Sequence, residues 1–255
     1  MNGARFVRVV LRRPDLRTAF PRRFAARLKG RTVVRLDRRA KYLLAPLSSG
    51  DTLLMHLGMS GSFDVARGAG ASEAGLHDHV VFYMSSGAIV TFNDPRRFGL
   101  MDLLTPRQLI EHPTLSTLGP EPLSAAFDAA ALAGACRGRK TSLKAALLDQ
   151  RVVAGLGNIY VSEALHVARL SPQRRASTIA TPSGRPRPAA FRLATAIKQV
   201  LEEAVLRASK PQYRSSRFRV YDRAGERCRR ANCAGVIAQR TQAGRTTYYC
   251  PVCQR

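Results

Sequence analysis

The chain has 255 residues, 45% of them hydrophobic, and carries 42 Lys and Arg residues against 17 Asp and Glu, a formal net charge of +25. This length predicts two or three compact domains, and no apolar run approaches the roughly 18 to 20 residues of a membrane helix, so a soluble, cytoplasmic protein is expected. Folding does not require so large a positive charge, which therefore favours an anionic polymer as the partner.

The positive charge is concentrated at the two ends of the chain. Residues 1 to 41 contain fourteen basic side chains against two acidic ones, and residues 207 to 255 contain twelve against two. We therefore predict a nucleic-acid-binding surface built jointly from the two ends. An ordinary solvated basic surface is the alternative.

Short β-branched runs divided by Gly, Ser, Pro or Asp indicate that residues 1–105 form a β-sandwich or barrel. The predicted strands are 5–11, 32–36, 42–47, 52–57, 79–84 and 88–92. After Thr105 the pattern changes, since residues 141–148, 158–168 and 193–204 have the spacing of amphipathic helices. We predict a helical domain over residues 106–210, with a loop at 171–188 and Cys136 as a spare helix residue.

Four of the five cysteines form two close pairs, Cys228 with Cys233 and Cys250 with Cys253. Two such pairs separated by a hairpin-length segment are typical of a tetrahedral site for one Zn²⁺ ion, because each pair supplies two ligands from one turn. A disulfide framework is the alternative, but the chain shows no secretory segment. Residues 217–255 are therefore predicted to be a zinc finger.

Two loops of the predicted β domain carry side chains that suit a DNA duplex. In D-P-R-R-F-G (94–99), an arginine can pair with a base and the phenylalanine can wedge into a stack. In H-L-G-M-S-G (56–61), Met59 is poorly placed for a core and well placed as an apolar wedge. A surface turn with one buried Phe is the alternative for the first loop.

Three other positions each leave two roles open. Lys41 enters a strand as a phosphate anchor or a proton donor. His77 and His79 flank Asp78, where a satisfied strand histidine or a phosphate contact is favoured over a metal site. The turn G-L-G-N (155–158) offers backbone N–H groups and Asn158 to a phosphate, and a plain turn between helices fits it equally well.

Taken in chain order, eight motifs resemble the formamidopyrimidine-DNA glycosylase family. They are R-R-A-K-Y-L, H-L-G-M-S-G, H-D-H-V, D-P-R-R-F-G, L-G-P-E-P-L, K-T-S-L-K, G-L-G-N-I-Y-V-S-E-A-L and the cysteine hairpin. The resemblance implies a multidomain α+β fold, with an N-terminal β-sandwich, a central helix-two-turn-helix domain and a C-terminal zinc-finger β-hairpin. It also implies a glycosylase and AP lyase that binds damaged double-stranded DNA in a cleft and flips out oxidised purines such as 8-oxoguanine. We expect a monomer.

The resemblance also assigns roles to individual residues. Met59, Arg96 and Phe98 match the trio that fills the gap left by the flipped base, with Arg97 beside them. Lys41 matches a lysine linked to base removal and strand cleavage, and Arg245 matches the finger arginine of the second elimination. The positions that match phosphate contacts are His56, His77, Lys140, Asn158 and Arg245. The resemblance implies that the zinc ion maintains the shape of the finger and takes no part in the chemistry.

The sequence departs from the family pattern in three places. The family begins with Pro-Glu after the initiator methionine and uses the proline as nucleophile, whereas this sequence begins Met1-Asn2-Gly3-Ala4. A misassigned start codon and a non-catalytic relative that binds damaged or abasic DNA are both kept as interpretations. The first cysteine pair is C-x4-C instead of C-x2-C, and the segment 207–213 is short, which leaves the lesion preference open. An unrelated zinc-ribbon RNA-binding protein is a third hypothesis.

Overall fold

The structure is a computed structural model that describes residues 1–67, 75–208 and 218–255. The chain divides into two compact units, Met1–Ser116 and Thr117–Arg255. In the described ranges no helix combines the length and apolarity needed to cross a membrane. Most of the short segment at 207–213 lies outside the described residues, and the three-domain division stays a prediction.

The first unit contains two four-stranded antiparallel sheets. One has the order β1-β6-β7-β5 and the other the order β2-β3-β4-β8. The first sheet consists of β1 (Phe6–Leu11), β5 (Ser62–Arg67), β6 (Asp78–Met84) and β7 (Ala88–Asn93). The second consists of β2 (Asp37–Arg39), β3 (Tyr42–Pro46), β4 (Thr52–His56) and β8 (Leu100–Leu104).

Both sheets contribute to one hydrophobic core, so the predicted sandwich is confirmed. Along β7, buried and half-buried residues alternate, as expected for a strand with one face on the core. Phe82 of the first sheet packs on Phe6 with ring centroids 5.4 Å apart. A short helix α1 (Phe24–Leu28) buries Phe24 and Leu28 in this core, and α2 (Pro106–Ile110) follows β8.

The predicted strand at 32–36 is wrong. Thr32 and Val33 form only isolated bridges, and the side chains of Val34 and Leu36 are exposed, so this stretch lacks the continuous pairing of a strand. The sequence pattern also fails to reveal β2, β5 and β8. In β5 only Phe63 and Ala66 are even partly buried, so the strand has little apolar signal of its own.

The second unit contains four helices and a hairpin within its described residues. These elements are α3 (Ala129–Cys136), α4 (Leu143–Leu148), α5 (Asn158–Val167), α6 (Pro188–Ala208), β9 (Ala238–Gln242) and β10 (Arg245–Tyr249). The helices share one apolar core. Cys136 is the last residue of α3, so its predicted place in a helix is confirmed, and it is buried. The predicted loop 171–188 contains a 3₁₀ helix, Ala176–Ile179.

The β9–β10 hairpin turns on two residues. Gln242 pairs with Arg245, and the residues between them, Ala243 and Gly244, have φ values of 50° and 70°. Two consecutive left-handed residues are typical of the type I′ turn, whose twist matches that of the adjoining strands. The turn fixes Arg245 as the first residue of β10.

Candidate nucleic-acid interface and metal centre

Two neighbouring loops of the first unit expose large side chains at their tips. Met59 follows β4 and is 71% exposed, and Phe98, between β7 and β8, is 43% exposed. The guanidinium carbon of Arg96 lies 4.8 Å from the centre of the Phe98 ring, which is a cation–π contact. These exposed apolar and cationic groups are suited to enter a stack of bases.

A buried carboxylate joins the two loops. Asp94 is fully buried, and its two carboxylate oxygens accept hydrogen bonds from the Ser60 hydroxyl and the Gly99 N–H, both at 2.7 Å. Ser60 in turn accepts from the backbone N–H of Arg96 at 3.2 Å. Arg97 has a φ of 57°, which strains a residue with a side chain. Asp94 therefore holds both loops in one conformation, and neither Asp94 nor Ser60 is among the site residues that the sequence predicts.

Gly58 is required where the loops approach each other. Its φ is +68°, and a Cβ at this position would lie 2.4 Å from the carbonyl carbon of Phe98. No real Cβ contact is that short, so any side chain would separate the loop of Met59 from the loop of Phe98.

His56 stands at the base of the same loop. It is half-buried, its Nδ1 accepts the N–H of Gly58 at 2.9 Å, and its ring packs on Tyr42 at 4.9 Å. Burial, and then the charges of Lys41 and Arg17, lower the pKa of His56, so the imidazole is neutral at pH 7. Because Nδ1 is an acceptor, the proton is on Nε2, where it can be donated to an anion.

His79 has a structural role instead. It is buried, and its Nε2 lies 2.9 Å from the carbonyl oxygen of Asp94, as expected for a satisfied strand histidine. His77 is half-buried, and its carbonyl oxygen accepts the Asp94 N–H. Lys41 is exposed in the two-residue turn between β2 and β3.

In the second unit, Asn158 and Arg245 come together through the hairpin. Asn158 begins α5, and its Nδ2 donates to the carbonyl oxygen of Thr246 at 2.9 Å, one residue from the exposed Arg245. The Oδ1 of Asn158 is buried and lacks a hydrogen-bond partner among the described residues. Lys140, the other predicted contact, is exposed in the turn between α3 and α4.

Lys144 also supports β10, and sequence reasoning missed it. Its side chain is fully buried, and its Nζ donates to the Thr246 carbonyl at 2.9 Å and to the Thr247 hydroxyl at 2.6 Å. Burial, and then the charge of Arg245, lower the pKa of Lys144 to about 8. The sequence could have indicated that Lys144 is buried, because it stands next to Leu143 and three residues before Leu147, on the apolar face of α4.

The turn between α4 and α5 contains an ionic pair that makes stability depend on pH. Hydrogen bonds from Arg151 lower the pKa of Asp149 to about 2, against the opposing effect of burial, and Arg139 adds to the lowering. The folded pKa lies below the unfolded value of 3.8, so the contribution is present above pH 3.8 and is lost as the pH falls through 2.

We expect Asp149→Asn to lower the free energy of unfolding by about 1 kcal/mol at pH 7, since Arg151 is largely exposed and the pair is screened. The difference from the unmodified chain should be much smaller at pH 2 than at pH 7, because the carboxyl is largely protonated in both states below its folded pKa of about 2. Urea unfolding at both pH values measures it, and an equal loss at pH 7 and pH 2 would contradict the assignment.

The four paired cysteines meet in one cluster. Their sulfur atoms all lie within 4.8 Å of one another, with Cys228 3.9 Å from Cys253 and Cys233 3.6 Å from Cys250. A tetrahedral zinc site with Zn–S bonds of about 2.3 Å requires sulfur atoms about 3.8 Å apart, whereas a disulfide needs about 2.05 Å. The spacing therefore fits a tetrahedral metal ion, and the disulfide alternative is wrong for this structure.

The surroundings of the cluster also fit a cation. The backbone N–H groups of Arg230 and Gly235 act on the thiols of Cys228 and Cys233 to lower their pKa values, which favours the thiolate form. Burial and the neighbouring thiols raise the pKa of Cys253 to about 12, so four thiolates require a compensating positive charge. Among the described residues, this is the one group of three or more potential metal ligands.

The chain that leads into the finger is fixed by Glu163 of α5, another residue that sequence reasoning missed. This buried carboxylate accepts the backbone N–H groups of Arg219, Val220 and Tyr221 at 2.8, 2.8 and 3.0 Å. The cluster is therefore attached to α5 by hydrogen bonds that join positions more than fifty residues apart.

A β-sandwich with exposed wedge residues, a helical core and a four-cysteine cluster that could hold a metal ion, on a chain of charge +25, define a nucleic-acid-binding protein. Residues 1–101 match the formamidopyrimidine-DNA glycosylase N-terminal domain, and residues 118–214 match the H2TH domain of the same family. The chain belongs to the formamidopyrimidine-DNA glycosylase family. The predicted resemblance and the predicted fold class are confirmed.

Individual relatives match over the whole chain. A formamidopyrimidine-DNA glycosylase of Rhodopseudomonas palustris strain BisB18 is 54% identical over 277 residues, covering 100% of this chain and 94% of the relative, and that of strain HaA2 is 55% identical over 276. The Lactococcus lactis enzyme, solved non-covalently bound to DNA with an AP site, has a TM-score of 0.87 at 28% identity. A structure of MutM with DNA containing carbocyclic 8-oxo-G has a TM-score of 0.87 at 27% identity. Each structure match covers 100% of this chain and 94% of the other.

Proposed function

We propose that this protein is a base-excision repair enzyme, a DNA glycosylase and AP lyase that acts on oxidised purines in duplex DNA. Family membership supports the reaction class, and the solved relatives hold damaged DNA. The observation that carries the proposal is the exposed group of Met59, Arg96 and Phe98, in loops that the buried Asp94 holds by hydrogen bonds.

Each member of this trio has a role that follows from its chemistry. The flexible, apolar Met59 side chain fills the space that a flipped base leaves, and the Phe98 ring wedges between adjacent bases. Arg96 offers a planar fork of donors to the base opposite the gap. Since stacking on Phe98 already orients Arg96, less side-chain freedom is lost on binding.

The remaining DNA contacts are proposed to be phosphate contacts. His56 supports this role through its Nε2 proton, and Arg97 is exposed beside the trio. Lys41 is proposed to assist base removal and strand cleavage, and Arg245 to assist the second elimination. The proposed phosphate-binding set is His56, His77, Lys140, Asn158 and Arg245, and Arg97 is proposed to contact DNA beside the trio.

One structural Zn²⁺ ion is proposed for the cluster of Cys228, Cys233, Cys250 and Cys253. The ion would supply the folding energy of the finger and take no part in the chemistry. The β9–β10 hairpin, with Arg245 at its turn, lies between the two cysteine pairs in the sequence.

Two competing hypotheses are less well supported. A binding-only relative is not favoured, since the full-length relatives are named as glycosylases. An unrelated RNA-binding zinc ribbon is excluded by the family match.

Borohydride trapping tests the enzyme directly, because a nucleophilic amine that displaces the base at the sugar C1′ forms a Schiff base that borohydride reduces to a stable bond. Two forms should be compared, the sequence as printed and a form preceded by a Pro-Glu-containing segment. Each is mixed with duplex containing 8-oxoguanine and with undamaged duplex. We expect the form with the Pro-Glu-containing segment to be trapped on duplex containing 8-oxoguanine and not on undamaged duplex. Failure of both folded, zinc-loaded forms would contradict the enzyme and favour damage binding without turnover.

A further inference from the structure

A histidine from outside the finger touches the cysteine cluster. His166 lies in the last turn of α5, is 3% exposed, and places its Nε2 3.3 Å from the sulfur of Cys228. The four sulfur atoms already have tetrahedral spacing, so the imidazole lies outside the set of direct ligands.

The surroundings of the ring decide which nitrogen carries the proton. The Nδ1 of His166 is buried and lacks a partner within the described residues. A proton on Nδ1 would leave a buried donor unpaired and would direct the Nε2 lone pair at a thiolate, which also has only lone pairs to offer. A proton on Nε2 satisfies the donor and places it against a negatively charged sulfur.

We propose that the Nε2–H of His166 donates a hydrogen bond to the metal-bound thiolate of Cys228, and that this bond controls how long the finger retains its metal. The inference rests on the zinc site of the proposed function. Four thiolates around one Zn²⁺ ion carry a net charge of −2, so a donor to a sulfur lowers its charge and its reactivity toward protons, oxidants and competing chelators.

A second contact joins the same helix to the cluster. The guanidinium of Arg230, which lies between the two cysteines of the first pair, donates to the carbonyl oxygen of His166. Helix α5 therefore begins at the proposed phosphate contact Asn158 and ends against the outer surface of the metal cluster. It connects the DNA-binding turn to the finger.

The test compares two substitutions of the zinc-loaded, full-length chain. His166→Phe keeps a buried ring and removes the donor, whereas His166→Gln restores an N–H close to the position of Nε2. Release of zinc to an excess of chromogenic chelator is the readout. We expect release from His166→Phe to be about 10- to 100-fold faster than from the unmodified chain. His166→Gln should stay within a few-fold of it. Val161→Ala, which removes packing atoms from a fully buried position of α5, is the matched control and should release zinc at the unmodified rate.

Cobalt substitution gives an independent signature. The thiolate-to-cobalt charge-transfer band should move to lower energy in His166→Phe, because a sulfur without its hydrogen bond is a better electron donor, and should return in His166→Gln. Unchanged release and an unchanged band in His166→Phe would overturn the proposal while leaving the metal site intact. An unmodified chain that binds neither zinc nor cobalt would overturn the proposed metal site together with the proposed role of His166.

Discussion

Replacing Cys250 with serine is expected to unfold the finger and to abolish binding of damaged duplex. The finger has a very small core of its own, in which Val220 and Ile237 pack with Cys228 and Cys250. A structural zinc ion typically supplies about 10 to 16 kcal/mol of apparent binding free energy in so small a unit. Loss of one fully buried ligand removes most of that energy.

The consequence for DNA binding follows from β10. Arg245 and Thr246 belong to this strand, and Thr246 is the residue to which Asn158 and Lys144 both donate. An unfolded finger would remove both acceptors of Lys144, and the proposed contacts of Asn158 and Arg245 would lose their common support. We therefore expect Cys250→Ser to disturb the start of α5, at Asn158, as well as the hairpin.

Cys136→Ser is the matched control, since Cys136 is equally buried but lies in α3. Metal content, hydrogen exchange of residues 218–255 and anisotropy with an abasic-site duplex measure the effect. The control should keep one zinc ion per chain and its DNA affinity. A Cys250→Ser chain that retains its exchange protection and its affinity would show that the metal is dispensable.

The parts of the site that the sequence reveals are those with a local pattern. The cysteine pairs and the loops of Met59 and Phe98 are contiguous motifs, and their residue types alone suggest a metal and a duplex. The supporting residues have no such pattern. Glu163 meets its partners 56 to 58 positions away and Lys144 meets its acceptors 102 and 103 positions away, so only the folded chain shows that they are buried and paired.

The same reason accounts for the strands that the sequence missed or misplaced. Val34 is a β-former and its N–H donates to Pro46 of β3, yet Thr32 and Val33 next to it form only isolated bridges and the side chains of Val34 and Leu36 are exposed. In contrast, β5 carries few apolar residues and is a strand because β7 pairs with it along its whole length. Pairing partners, rather than intrinsic propensity, decide both cases.

Gly58→Ala is expected to remove most of the preference for damaged DNA without unfolding the chain. The added Cβ would lie 2.4 Å from the Phe98 carbonyl carbon and 2.6 Å from the Gly99 nitrogen, so the two loops must separate. Separation breaks the two hydrogen bonds that cross between the loops, from the Ser60 hydroxyl to Asp94 and from the Arg96 N–H to Ser60. The trio can then no longer enter one gap together.

Gly87→Ala supplies the control because it imposes a similar backbone strain without the clash. Gly87 has a φ of +76°, close to the +68° of Gly58, but a Cβ there would meet nothing within 4 Å. Each substitution costs about 1 kcal/mol of backbone strain, so the difference between them isolates the loop contact.

The measurement is fluorescence anisotropy with an abasic-site duplex and an undamaged duplex over a range of salt concentrations. For Gly58→Ala we expect the ratio of the two affinities to fall at least about tenfold, which corresponds to about 1.4 kcal/mol. The affinity for undamaged duplex and its salt dependence should persist, since the basic residues proposed to contact phosphates remain in place. Equal ratios for Gly58→Ala and Gly87→Ala would show that the close approach of the loops is not what recognises the lesion.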